Sequence, residues 1–236
     1  MKDAYIPEGP WKFNSSVTGV FTDMISRSIP SYIELRSTIS RLIRNLSVSD
    51  SVILDIGCSN GIQIEHLYNE CANDTQFIGY DNSESFLVES RKKFSTFPRV
   101  KIEYLDLEQE FTMPSSTVIL CIFTLQFVSV SHRKRILEQF YKSLSDEGLL
   151  FWAEKVKGET NRSDQLLVET YHKYKEEAGY SIEQIFAKQE SLKNVLVPLT
   201  SKENQELLRQ VGFESIDVVW ASLNFNLYAA YKKEKT

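Results

Sequence analysis

Apolar and polar positions along this chain follow two alternating periods. Short apolar runs at residues 51–56, 76–80, 100–105, 117–122 and 148–153 read as strands. Between them lie amphipathic stretches with helical spacing. Residues 62–71 form one; 84–97 places Phe86, Leu87, Ser90 and Phe94 on one side; 132–144 turns Ile136, Leu137, Phe140 and Leu144 inward. Strand–helix alternation of this kind predicts an α/β fold whose parallel sheet is covered on both faces. Residues 200–211 read as a further helix, with Thr200 or Ser201 as N-cap and Gly212 at its end. Two closing runs, 213–220 and 223–231, are joined too closely for a crossover and should pair antiparallel. The expectation is a mostly parallel, seven-stranded sheet.

Two segments break the rhythm. Residues 20–30 carry apolar side chains at Val20, Phe21, Met24, Ile25 and Ile29, a helix that Pro30 ends or kinks, and 32–46 resumes a helix. Together with the irregular, proline-bearing 1–13, they make 1–50 an N-terminal lid placed to cover one side of a pocket. Residues 156–198 form a helical insertion, with helices expected at 169–179 and 181–195 and a break at Gly179-Tyr180-Ser181. Such an insertion covers the pocket or makes a dimer contact. Residues 1–236 read as one domain.

The chemistry concentrates at the strand ends. Asp55-Ile-Gly57-Cys58-Ser59-Asn-Gly61 is a strand, a glycine turn and a helix start, and the next strand ends at Asp81. Glycine allows positive φ and close approach of a ligand. The helix start offers free N–H groups, and an acid at the neighbouring strand tip can accept two ribose hydroxyls. The dinucleotide pattern Gly-x-Gly-x-x-Gly fails, because Ser59 and Ile62 stand at its second and third glycines. A pyrophosphate therefore has no obvious seat. The spacing instead is similar to the first motif of class I methyltransferases, Rossmann-like proteins that hold S-adenosyl-L-methionine. Asp106, Phe123 and Glu154 fall at further strand ends, which points to one shared crevice.

Composition narrows the classes. A formal net charge of −5 disfavours direct nucleic-acid binding. The basic clusters at Arg91-Lys-Lys93, Arg133-Lys-Arg135 and Lys232-Lys233 read as solvated faces. Apolar runs are far short of a membrane span, and no signal segment opens the chain, so a cytoplasmic location is expected. Cys58, Cys71 and Cys121 are an odd set without metal spacing and read as reduced thiols, with no metal site.

A more specific likeness covers nearly the whole chain. Phe21-Thr-Asp-Met-Ile-Ser-Arg-Ser-Ile-Pro-Ser-Tyr32, Asp55-Ile-Gly-Cys-Ser59, Asp81-Asn-Ser83, Phe123-Thr-Leu-Gln-Phe127, Glu154-Lys155, Ala178-Gly-Tyr-Ser181, Asn194-Val195 and Gly212-Phe213 resemble carboxy-S-adenosylmethionine synthases. The resemblance implies the class I methyltransferase fold, a homodimer, and use of S-adenosylmethionine and prephenate. The product is a carboxylated sulfonium that a partner enzyme uses on tRNA wobble uridines. It implies cofactor contacts from Tyr32, Gly57, Cys58, Ser59, Asp81, Asn82, Asp106 and Leu107, and matches His172 to a histidine of the inserted helix.

Two positions depart from that family. An asparagine expected before Phe123 is Ile122, and an arginine expected to pair with the cofactor's added carboxylate is Gln189. A guanidinium grips a carboxylate through a charged fork, whereas an amide offers one neutral donor group. Losing a buried charged pair costs about 2–5 kcal/mol. Lys188 is adjacent, but neighbours on a helix point about 100° apart. The first expectation is therefore a methyltransferase acting on a small molecule, with His172 and Glu154 as candidate bases. The second is a carboxy-S-adenosylmethionine synthase with a rearranged carboxylate clamp. The third is a non-catalytic S-adenosylmethionine-binding protein.

Overall fold

The computed structural model describes residues 3, 5–46 and 51–233. Of the lid region, residues 47–50 lie outside the described part, as do 1, 2 and 4. The N-terminal segment leads through helices α1 (Ser15–Thr18), α2 (Phe21–Ser28) and α3 (Tyr32–Asn45). An alternating core follows: β1 (Val52–Ile56), α4 (Ile62–Tyr68), β2 (Gln76–Asp81), α5 (Glu84–Lys93), β3 (Val100–Tyr104), β4 (Ser116–Ile122), α6 (Val130–Ser143) and β5 (Leu144–Lys157). The inserted helices are α7 (Asn161–Glu177) and α8 (Ile182–Leu192). The chain closes with β6 (Leu199–Thr200), α9 (Ser201–Val211), β7 (Ser215–Ser222) and β8 (Phe225–Tyr231).

The main sheet has the order β3-β2-β1-β4-β5-β8-β7, with the two-residue β6 added beside β5. Pairings β1–β2, β1–β4, β2–β3 and β4–β5 are parallel, while β8 is antiparallel to both β5 and β7. The expected seven strands are present, and β6 is the addition. Strand order reverses around β1, whose neighbours are β2 and β4. A crevice beyond the carboxyl ends is a geometric consequence of that reversal.

Period-two alternation along the strands builds a core on each face. Ile53, Phe77, Val118, Leu120 and Phe151 pack under α3 through Leu35, Ile39 and Ile43. Leu54, Ile56, Ile119, Cys121, Leu150 and Trp152 pack against Ile136, Leu137 and Phe140 of α6 and Leu208 of α9. A third cluster joins Trp11, Val17, Phe21 and Met24 to Phe86 of α5, holding the N-terminal segment on the domain. Each large side chain so buried contributes about 1.5–3 kcal/mol.

Several expected boundaries move, most of all those of β5 and α7. Strand β5 is longer than residues 148–153: its start continues from α6, and its end pairs with both β8 and β6. Helix α7 begins well before residue 169. The Thr160 side chain accepts the Ser163 N–H while Ser163 reaches back to the Thr160 N–H, a reciprocal cap that starts the helix in a polar stretch. An apolar-period reading passes over a start made by polar side chains.

Candidate functional site

The turn after β1 is fixed from several sides. Gly57 has φ +75° and Ser59 φ +50°, both left-handed. Tyr80 O accepts from the N–H groups of Gly57 (2.8 Å) and Cys58 (2.9 Å), tying the turn to β2. The Ser59 N–H donates to Asp81 Oδ2 at 2.9 Å, and the Ser83 N–H donates to Oδ1 at 2.8 Å. Asp81 therefore holds its own turn before it holds anything else. A Cβ on Gly57 would lie 2.3 Å from Thr124 Oγ1, and one on Gly61 would lie 2.2 Å from the Phe94 ring. Protein, not ligand, fills the space each glycine leaves, a correction to the ligand-approach reading of these glycines. Thr124 Oγ1 donates to Ile56 O at 2.9 Å, which locks β4's exit onto β1.

A cavity of about 1010 Å³ opens at these strand tips. One end, at the tips of β1 and β2, gathers Asp55, Gly57, Cys58, Ser59, Asp81, Asn82, Asp106 and Leu107; Tyr32 and Ile122 are also on its wall. Burial pushes the Asp55 carboxyl up to about 7, with repulsion from Asp81 adding to it. Burial also raises Asp81, against the lowering effect of its backbone donors. Burial lifts the Tyr32 hydroxyl to about 12, keeping it a neutral donor. An acidic rim with this donor set suits ribose hydroxyls and a sulfonium cation and repels a pyrophosphate. Residues and cofactor class therefore fit. The Gln63 Nε2 group, on the same wall, is buried without a partner among the described residues.

The other end lies between lid and insertion. Val168, Tyr171, His172 and Lys175 are all on its wall, one stripe of α7 at helical spacing. Lys155 from β5, Ile185, Lys188 and Gln189 from α8, and Phe225 from β8 complete it. Lys188 is buried and paired with the Asp3 carboxylate, which also accepts from the Tyr180 hydroxyl at 2.8 Å. The Tyr171 hydroxyl donates to Ser28 O (2.8 Å), so α7 is clasped to the lid helix α2. His172 is pushed below its ordinary range by burial and by the neighbouring Lys175 and Lys155. It is therefore a neutral imidazole near pH 7, able to accept a proton.

Glu154 does not belong to this wall. Its carboxyl is fully buried, accepts the Trp152 indole N–H at 2.9 Å and caps the backbone at Leu125 and Gln126. Burial raises it to about 8, with Arg133 pulling the other way. It is a structural acid of β5, not a base in reach of the cavity. Successive residues of a strand face opposite sides, so Lys155, one position on, takes the cavity side. Of the two candidate bases, His172 lines the cavity and Glu154 does not. Gln63 and Lys175 also line the cavity and were not singled out from the sequence; the latter shares a helical stripe with His172, which could have signalled it.

Residues 53–148 match the methyltransferase-domain family. A carboxy-S-adenosyl-L-methionine synthase of Wolinella succinogenes is 37% identical over 95% of this chain and 94% of its own length. One of Campylobacter lari is 33% identical over 95% of this chain and 96% of its own. The chain belongs to the carboxy-S-adenosyl-L-methionine synthase family. It is thus an S-adenosylmethionine-dependent transferase on the class I methyltransferase fold. Solved structures agree on that fold: a SAM-dependent methyltransferase from Aquifex aeolicus has a TM-score of 0.61 at 15% identity, over 94% of this chain and all of its own. The CurJ carbon methyltransferase has a TM-score of 0.67 at 15% identity, over 92% of this chain and 59% of its own. Ile122 and Gln189, the two positions the sequence reading set apart, both line the cavity. Among the described residues no group of three or more His, Cys, Asp or Glu is placed to hold a metal ion, and no helix is long and apolar enough to cross a membrane.

Proposed function

We propose that this protein converts S-adenosyl-L-methionine to its carboxylated sulfonium, taking the carboxylate from a small organic acid, prephenate in the family's reaction. The observation that carries the reading is a near-full-length match to carboxy-S-adenosyl-L-methionine synthases, joined to a cavity with two ends. A nucleoside alone would not use the second. Asp81 and Asn82 hold the ribose side, Asp106 and Leu107 the adenine side, and Gly57, Cys58 and Ser59 shape the turn beneath. When bound, the sulfonium supplies a methyl carbon made acidic and electrophilic by the adjacent charge. The chain's residues bind, orient and exclude water. Tyr32 and Phe123 close over one side, and His172 is the group placed to take a proton. The protein acts as a homodimer in the cytoplasm, without metal or direct nucleic-acid contact.

One observation favours a second reading, methyl transfer to a small molecule: Gln189 brings no charge to the added carboxylate. Mass spectrometry after incubation with S-adenosyl-L-methionine and prephenate separates the two. A sulfonium heavier by one carboxylate is the expected product. Unchanged S-adenosyl-L-methionine with prephenate, together with turnover on a methyl acceptor, would replace the first reading with the second.

A further inference from the structure

Two ammonium groups on the acceptor side of the cavity have no anion of their own. Lys155 comes from the tip of β5 and Lys175 from α7, and both line the cavity. Their Nζ atoms lie 4.5 Å and 4.9 Å from the centroid of the same Tyr171 ring. Among the described residues neither forms an ion pair; the nearby carboxylate of Asp3 is taken by Lys188 and Tyr180. Asp164 acts on Lys155 only at longer range, and its Oδ1 accepts the Gly158 N–H. Lys175 is buried and Lys155 half-buried, and an ammonium drawn out of water without a counter-charge is costly. Burial lowers Lys155 to about 8, and burial with repulsion from Lys155 and Lys188 lowers Lys175 to about 7.

We propose that Lys155 and Lys175, both beside the Tyr171 ring, form the carboxylate subsite for the second substrate. The ligand class follows from what surrounds them. The Tyr171 ring, Val168, Ile185 and Phe225 give this end an apolar floor. The subsite thus suits a carboxylic acid carried on an apolar body, not an inorganic anion or a phosphate ester. These two cations supply positive charge at an end of the cavity where Gln189 brings none. A carboxylate that reaches both ammoniums offsets their repulsion, so its binding is worth more than a surface contact.

The inference rests on the transferase reading above, and the test keeps the two apart. Calorimetry first titrates S-adenosyl-L-homocysteine into the protein, then prephenate into the loaded protein. It compares wild type with Lys155→Met and Lys175→Met, which keep the aliphatic stems, and with Lys155→Arg and Lys175→Arg. Each methionine variant should bind the nucleoside within about twofold of wild type and lose prephenate affinity by about tenfold or more. The arginine variants should recover most of it. Equal prephenate affinity in wild type and both methionine variants would overturn the subsite, as would no uptake by loaded wild type. A nucleoside that fails to bind wild type would instead count against the transferase reading.

Discussion

At the scale of single residues, the site is a study in carboxyls with different duties. Asp81 sits half in the turn and half in the cavity, whereas Glu154 is wholly structural. Its folded-state value near 8 lies above its ordinary 4.5, so the protonated form is the one the fold favours. The fold then binds a proton that the unfolded chain has released, and stability falls as pH rises from about 4.5 to about 8. Glu154→Gln mimics the protonated carboxyl. Denaturant titrations across this window should show a slope shallower by up to about 1.4 kcal/mol per pH unit, leaving the parallel contribution of Asp55. An unchanged slope would mean that Glu154 ionises freely. The glycine turn and Asp81 were legible in the chain because spacing alone marks a strand, a turn and an acid. The choice between Glu154 and Lys155 was not, since it turns on which face of β5 meets the crevice.

At the scale of elements, lid and insertion act as one clasp. Tyr171 reaches Ser28 O, Tyr174 reaches Ile29 O at 3.4 Å, and Tyr180 reaches Asp3. Farther along, the Trp11 N–H donates to Ser191 O at 2.8 Å. These links join segments distant in sequence, which no local pattern reveals. Helical periodicity located the lid and α8 because those helices bury an apolar stripe. It found only the second half of α7, whose first turns are polar and half-exposed or exposed. Tyr171→Phe removes one hydroxyl bond and keeps the ring. It should cost about 0.5–1.5 kcal/mol. Amide exchange should quicken in α7 and α2 while the β-sheet stays protected. Uniform loss of protection would show that the clasp is not a separable unit.

At the scale of the whole molecule, strand order does the main work. A sheet that reverses direction around β1 opens a crevice at its carboxyl edge, and the chain sets its turn, its acids and its inserted helices around that opening. The architecture was readable from alternation, since parallel strands buried on both faces leave continuous apolar runs. The depth of the cavity was not, because it depends on how lid and insertion meet. The central claim is that an adenosyl sulfonium occupies the nucleoside end, held by Asp81. Calorimetric titration of S-adenosyl-L-homocysteine into wild type and Asp81→Asn, with ADP as the comparison ligand, tests it most directly. The account predicts one nucleoside bound per chain, affinity weakened about tenfold or more by the amide, and no uptake of ADP. Equal affinity in wild type and variant, or ADP binding as well as the homocysteine nucleoside, would contradict it.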